Sequence, residues 1–423
     1  MSTTRHTTGI EWTHVPGTIG ATWNPVVGCS IVSPGCTNCY AMPMARRIQA
    51  MTPDGKASHY AGTTKLVKGG KPVWTGKVVL APKRILAEPY ARKKPHTFFV
   101  NSMGDLFHED VPDGWIAYVW RVMHENPQHT LIVLTKRAAR MRAWVQRWCD
   151  LTGDDDVMSF KGVRGPEAVR AAHPSGRGQL FAAYLDTLLE LEGGKVPDGA
   201  AWPTFDWMQG PKYWPGVLPN VWLGVSAERQ QEADERVQEL LATPAAVRFV
   251  SAEPLLGAID FTKWLLYASC NKCRQFVVGS RKHGGGIEHH DCNYYAEPMT
   301  NLDWIIVGGE SGRDARPMHP DWVRSIRDQC AASGTPFFFK QWGEWLPSND
   351  DVTFTDGEDW ARRHFQGRPF EQHSSGHTFV KCGKRRAGHT LDGREHIAWP
   401  SAATRAAHTI TASEFPTATP EPT

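Results

Sequence analysis

The chain has 423 residues, of which 22% are charged, with a net charge of +3 and a mean hydropathy of −0.42. No apolar run reaches the ~20 residues needed to span a membrane, and the polar start lacks a signal-peptide stretch, so the reading is cytoplasmic. The near-neutral charge argues against a histone-like nucleic-acid binder and leaves room for a local basic groove.

Residues 1–20 read as an irregular lead-in. The stretch Thr22-Trp23-Asn24-Pro25-Val26-Val27-Gly28 is expected as a short strand ending at Cys29, with a helix from Tyr40 to Ile48 beyond the cysteine loop. Six further apolar runs of strand length follow, at 96–100, 130–134, 221–225, 247–250, 303–307 and 335–339. Each is nearly continuous in large apolar residues, as in strands covered on both faces. Segments 229–241 and 320–332 between them have helical spacing. This alternation predicts an α/β fold of repeated βα units, a partial or complete TIM-like (β/α) barrel, with a doubly wound open sheet as the alternative. Residues 150–219, with a helix near 180–191, and residues 263–302 read as insertions in a barrel spanning 1–347. An extension occupies 348–400, and the Thr-, Ala- and Pro-rich tail 401–423 is expected to be disordered. Ordinary packing accounts for most of the 18 tryptophans, and some are expected to line a cleft.

Polar side chains gather just after the strands. They are Asn101, Ser102 and Asp105; Thr135, Lys136 and Arg137; Ser226 and Glu228; Ser251 and Glu253; Glu310; then Lys340 and Gln341. In parallel α/β architectures these carboxyl ends form the active-site face. Lys136, Arg137, Glu253 and Lys340 are the candidate catalytic groups. Lys136, Arg137, Arg140 and Arg142 could instead meet phosphates, or form a solvated basic helix face.

Six of the nine cysteines fall in two groups. Cys29, Cys36 and Cys39 share one loop, close enough for three thiolates to hold three corners of a [4Fe–4S] cluster and leave the fourth iron open. A zinc site whose fourth ligand is His59 or a distant residue, or three unrelated buried thiols, are the alternatives. In the second group Cys270, Cys273, His289 and Cys292 have the spacing of a structural zinc ribbon, with His290 and His283 as competing ligands. A flexible loop with incidental cysteines is the alternative there.

Several stretches carry a resemblance. They include Trp23-Asn24-Pro25-Val26-Val27-Gly28-Cys29, Gly35-Cys36-Thr37-Asn38-Cys39-Tyr40-Ala41, Asn101-Ser102-Met103-Gly104-Asp105, Leu134-Thr135-Lys136-Arg137, Ser251-Ala252-Glu253-Pro254, Gly308-Gly309-Glu310-Ser311-Gly312 and Lys340-Gln341-Trp342-Gly343. Together they resemble a three-cysteine-motif family of phage and bacteria and, more loosely, the radical S-adenosylmethionine (SAM) superfamily. The resemblance implies a radical enzyme that cleaves SAM at the cluster, fed by a flavodoxin- or ferredoxin-type electron donor and acting on a nucleotide or nucleic acid. It implies that Asn101, Ser102 and Asp105 hold the SAM amino group, that Ser226 and Glu228 hold ribose or carboxylate, and that Glu310 also faces the cofactor. Two features depart from that pattern. Six residues rather than three separate the first two cysteines, and the Gly-Gly-Glu element follows the sixth strand instead of the second. The rival reading is a non-catalytic, metal-dependent nucleic-acid-binding or phage–host interaction protein.

Overall fold

The computed structural model describes residues 8–52, 58–149, 166–172, 176–191, 216–265, 268–270, 276–277, 287–289, 294–298, 301–347, 370–372 and 377–401. Seven strands form the central sheet: β1 (Ile19–Trp23), β2 (His96–Val100), β3 (Thr130–Thr135), β4 (Val221–Ser226), β5 (Val247–Ala252), β6 (Trp304–Gly308) and β7 (Phe337–Gln341). All neighbours pair in parallel, and their spatial order is their chain order. A doubly wound sheet would reverse direction at a switch point. None occurs here, so the winding is of the barrel kind.

Side chains alternate between two cores, as the period of two along a strand requires. On the outer face Phe98, Leu131, Val133, Leu223, Val250, Ile305 and Phe339 pack beneath the helices α2 (Asp113–His124), α3 (Ala138–Cys149), α5 (Gln230–Leu241) and α6 (Pro320–Ser333). On the inner face Phe99, Ile132, Trp222, Phe249, Trp304 and Phe338 form a second cluster around Trp12. The ring of Trp12 lies 4.8 Å from Phe99 on β2 and 6.3 Å from Trp304 on β6. Four strand spacings would separate β2 from β6 by about 19 Å in a flat sheet. One indole bridges them because the sheet curls into an open half-barrel. The edge of β7 is covered by the chain near its end: Phe339 N–H donates to His396 O (2.8 Å), and Ala398 N–H to Phe337 O (3.2 Å). Covering an edge in this way removes a template for unwanted pairing.

The first strand lies earlier than the sequence suggests. It occupies 19–23, starting within the expected lead-in and overlapping only the beginning of the expected strand, and stops before Pro25, which has no N–H for a ladder. Val26–Val27 instead pairs antiparallel with Val79–Leu80. The helix α1 (Ala41–Ala50) follows the cysteine loop as expected. The expected helix of the first insertion runs Gly176–Leu191 (α4) and packs on α2. Within the second insertion the strands Ala268–Cys270, Phe276–Val277, Ile287–His289 and Tyr294–Pro298 form an antiparallel sheet. The tail 402–423 lies outside the described residues.

Candidate functional site

The carboxyl ends of the strands surround one cleft of about 260 Å³. Its wall includes Asn101, Ser102 and Asp105 beyond β2, Lys136 and Arg137 beyond β3, Ser226, Glu253, Glu310, Lys340 and Gln341, together with Cys29, Cys36 and Cys39. The fold thus gathers nearly every strand-end residue that the sequence marks. Glu228 is the exception: it stands fully buried behind the wall.

Most of these side chains already have partners. Glu228 accepts from the Lys136 ammonium, from Arg236 at 3.1 Å and from Ser33 Oγ at 2.9 Å. Asp105 accepts from Thr135 Oγ1 at 2.7 Å, from the Lys136 amide at 3.2 Å and from Arg137 at 3.0 Å. Arg137 also reaches Glu109 at 3.1 Å and Ser30 at 2.6 Å. Lys340 pairs with Glu253 at 3.0 Å. Glu310 accepts from Arg316 at 2.5 Å and from Asn38 Nδ2 at 3.1 Å. The Gly-Gly of this element serves close packing: a Cβ on Gly309 would lie 1.9 Å from the Trp342 carbonyl oxygen. The expected phosphate-binding residues are engaged as well, Arg140 with Asp113 at 3.5 Å and Arg142 with Glu239 at 3.3 Å.

Two amides differ. Asn101 holds its side-chain oxygen on the Val26 amide (3.2 Å), and its buried Nδ2 has no hydrogen-bond partner among the described residues. Gln341 donates Nε2 to the Gly309 carbonyl (2.9 Å), and its buried Oε1 is likewise unmatched. Those bonds fix the orientation of both amides, so one donor and one acceptor are left over in the cleft wall.

The three cleft thiols have unlike environments. Burial and the Asp105 charge push Cys29 up to about 12, and burial raises Cys39. Burial also opposes the Cys36 thiolate, but the Lys136 charge and hydrogen bonds at Val32 and Ser33 outweigh it, so this thiol sits below its ordinary value. Burial in turn lowers Lys136 to about 8.

The metal expectations are corrected. Among the described residues the potential ligands that converge, with all ligand atoms within 4.8 Å of one another, are His319, Asp321 and His377. Cys29, Cys36 and Cys39 share the cleft without converging in this way, and their spacing departs from the superfamily's three-residue gap. The [4Fe–4S] cluster, SAM as cofactor, the radical SAM enzyme class and that function therefore do not stand. Structural zinc gains no support either. Cys270 and His289 lie on strands whose side chains are outside the described residues, as are Cys273 and Cys292 entirely. No spacing rule links His319 to His377, because the extension's sheet brings them together.

A second feature, missed by reading motifs alone, flanks the cleft. Residues 41–94 carry twelve Lys and Arg against two acidic residues, so this stretch is +10 in a chain whose net charge is +3. It comprises α1, the hairpin of Thr64–Leu66 with Pro72–Trp74, and the short helices before β2. Arg46, Arg47, Lys65 and Lys68 are exposed and make no ion pair among the described residues; Lys93 and Lys94 are also exposed but precede β2, at the end of the strand away from the cleft. The hairpin abuts the cleft: Trp74 lines it, and Lys71 donates to Asn38 at 2.7 Å. Tyr40, half exposed, lies on the rim.

Fold and site define an α/β half-barrel protein with a polar cleft at the strand ends and a basic lobe beside it. The chain belongs to the family described as "Protein of unknown function (DUF5131)", whose model matches residues 7–400. A likeness to the phage radical-SAM-like family is not among what the comparisons show. No curated protein and no solved structure matches the chain.

Proposed function

We propose that this protein binds nucleic acid, with the backbone running over the basic lobe and a base entering the cleft. The observation that carries this reading is the segregation of charge: +10 within residues 41–94, whose lysine-bearing hairpin abuts the cleft, with the exposed Tyr40 at the cleft's rim. Exposed lysines and arginines without acidic partners attract phosphates, and aromatic faces stack bases irrespective of sequence. The cations within the cleft are held by carboxylates, which leaves the lobe to make the phosphate contacts. In this reading residues 1–347 are a partial TIM-like barrel interrupted by 150–219 and 263–302, and 348–400 extend it.

Fluorescence anisotropy with a labelled single-stranded oligonucleotide tests the proposal. Charge reversal at the hairpin, Lys65→Glu with Lys68→Glu, is expected to weaken binding at least tenfold. Reversal on α3 at Arg142, which already pairs with Glu239, should have little effect. Equal losses for both variants, or no binding by the unmodified protein, would reject it.

A further inference from the structure

We infer that His319, Asp321 and His377 form a site for a divalent transition-metal ion of the zinc class, joining the C-terminal extension to the half-barrel. The three residues come from two parts of the chain. His319 caps the N-terminus of α6, and its Nδ1 accepts from the Asp321 amide at 3.2 Å. His377 precedes the strand Thr378–Lys381, the middle strand of the extension's sheet, between Trp345–Pro347 and Phe370–Gln372. The two imidazole rings stand edge to face with centroids 4.2 Å apart. All three ligand atoms lie within 4.8 Å of one another. With metal–nitrogen and metal–oxygen bonds of about 2.0–2.2 Å, only a small contraction would let one ion reach all three.

Two imidazoles and one carboxylate suit zinc, iron, nickel or copper better than calcium or magnesium, whose ligands are oxygens. Three protein ligands leave at least one coordination position for water. His319 is buried against Trp322 and Phe379, a setting that keeps the ring in place. Asp321 faces solvent and pairs with Arg324 at 3.0 Å. That pairing is no obstacle, because Arg324 also bonds Asp392 at 3.0 Å and keeps a partner when Asp321 turns to a metal.

The position gives the ion a purpose. The segment from Glu310 to His319 starts at the cleft wall, where Glu310 holds Asn38 and Arg316, and ends at this cluster. Along it the Ala315 carbonyl accepts from the Trp345 indole at 2.6 Å, and Ala315, Trp345 and Phe379 pack together. An ion on His319, Asp321 and His377 would clamp the extension onto the segment that forms one wall of the cleft.

Cobalt(II) titration of the full chain, stripped with chelator, tests the site. Cobalt on imidazole and carboxylate shows d–d absorption without the near-ultraviolet charge transfer that thiolates give, so any cysteine-bound cobalt is distinguished. One equivalent with a thiolate-free spectrum is expected, lost in both His377→Gln and Asp321→Asn while circular dichroism stays unchanged. Added zinc should raise the melting temperature of the unmodified chain and leave that of His377→Gln where it was. Retention of the thiolate-free equivalent by both variants, or only thiolate-type bands in the unmodified chain, would overturn the assignment.

Discussion

Ser33 of the cysteine loop donates its hydroxyl to Glu228 at 2.9 Å, across 195 residues of sequence. The same carboxylate, inaccessible to solvent, also carries Lys136 and Arg236. One buried anion thus ties the loop to the ends of β3 and β4 and to helix α5. Nearby Gly35 has no room for a side chain, since a Cβ there would lie 2.3 Å from Glu228 Oε1.

Removing that anion should be costly. Glu228→Gln keeps the shape and strands the buried Arg236 and the partly buried Lys136, a change expected to destabilise the fold by about 3–5 kcal/mol. Urea denaturation measures it. A loss below ~1 kcal/mol would mean that solvent screens Lys136 and Arg236 more than their burial indicates.

Trp12 is the keystone of the inner face, touching Phe99 and Trp304 on strands that a flat sheet would hold far apart. Its replacement by Ala is expected to cost about 3–5 kcal/mol. Amide hydrogen exchange should show lost protection at Phe99 and Trp304, which lie next to the end and at the start of their strands, with little change in the hairpin at residues 64–74. A uniform rise in exchange would argue that Trp12 supports global stability alone.

Cys36 is the cleft thiol whose ionisation is assisted, and Lys136 is the chief favourable cause. The thiolate, and not the thiol, is the species that attacks a thiosulfonate to form a mixed disulfide. Peptide mass spectrometry after methanethiosulfonate treatment should find the pH midpoint for Cys36 below that for Cys29, which lies near 12. Lys136→Met removes the positive charge, so the Cys36 midpoint should move up. Lys136→Arg keeps the charge and should hold it down. In the unmodified protein the assistance fades as pH rises through about 8, where Lys136 loses its proton. An unchanged midpoint in Lys136→Met would assign the assistance to the Val32 and Ser33 hydrogen bonds.

Much of this was legible from residue order. Continuous apolar runs located six of the seven strands within a few residues, because strands buried on both faces cannot alternate with polar groups. The first was harder: Ile19-Gly20-Ala21 offers little bulk, and the adjacent Val26-Val27 gave the stronger signal although it belongs to a separate small ribbon. The strand-end residues do line one cleft, Glu228 excepted. Residue order could not say that Asp105, Glu228 and Glu310 are committed to internal partners, since those partners lie up to 272 residues away. The cysteine spacing suggested a shared metal because proximity in sequence limits distance, but it does not fix where thiols point. His319 and His377 show the converse, as they meet only after the extension folds back. The basic lobe was present in composition and hidden by averaging, because the rest of the chain is net acidic.

The most direct test of the nucleic-acid reading is the salt dependence of oligonucleotide binding. Each phosphate contact contributes about −0.7 to the slope of log K against log salt on a single strand. A steep negative slope is expected for the unmodified chain, made shallower by about 1.4 when Lys65 and Lys68 are both reversed to Glu. A flat slope, or one that the double reversal leaves unchanged, would contradict that reading.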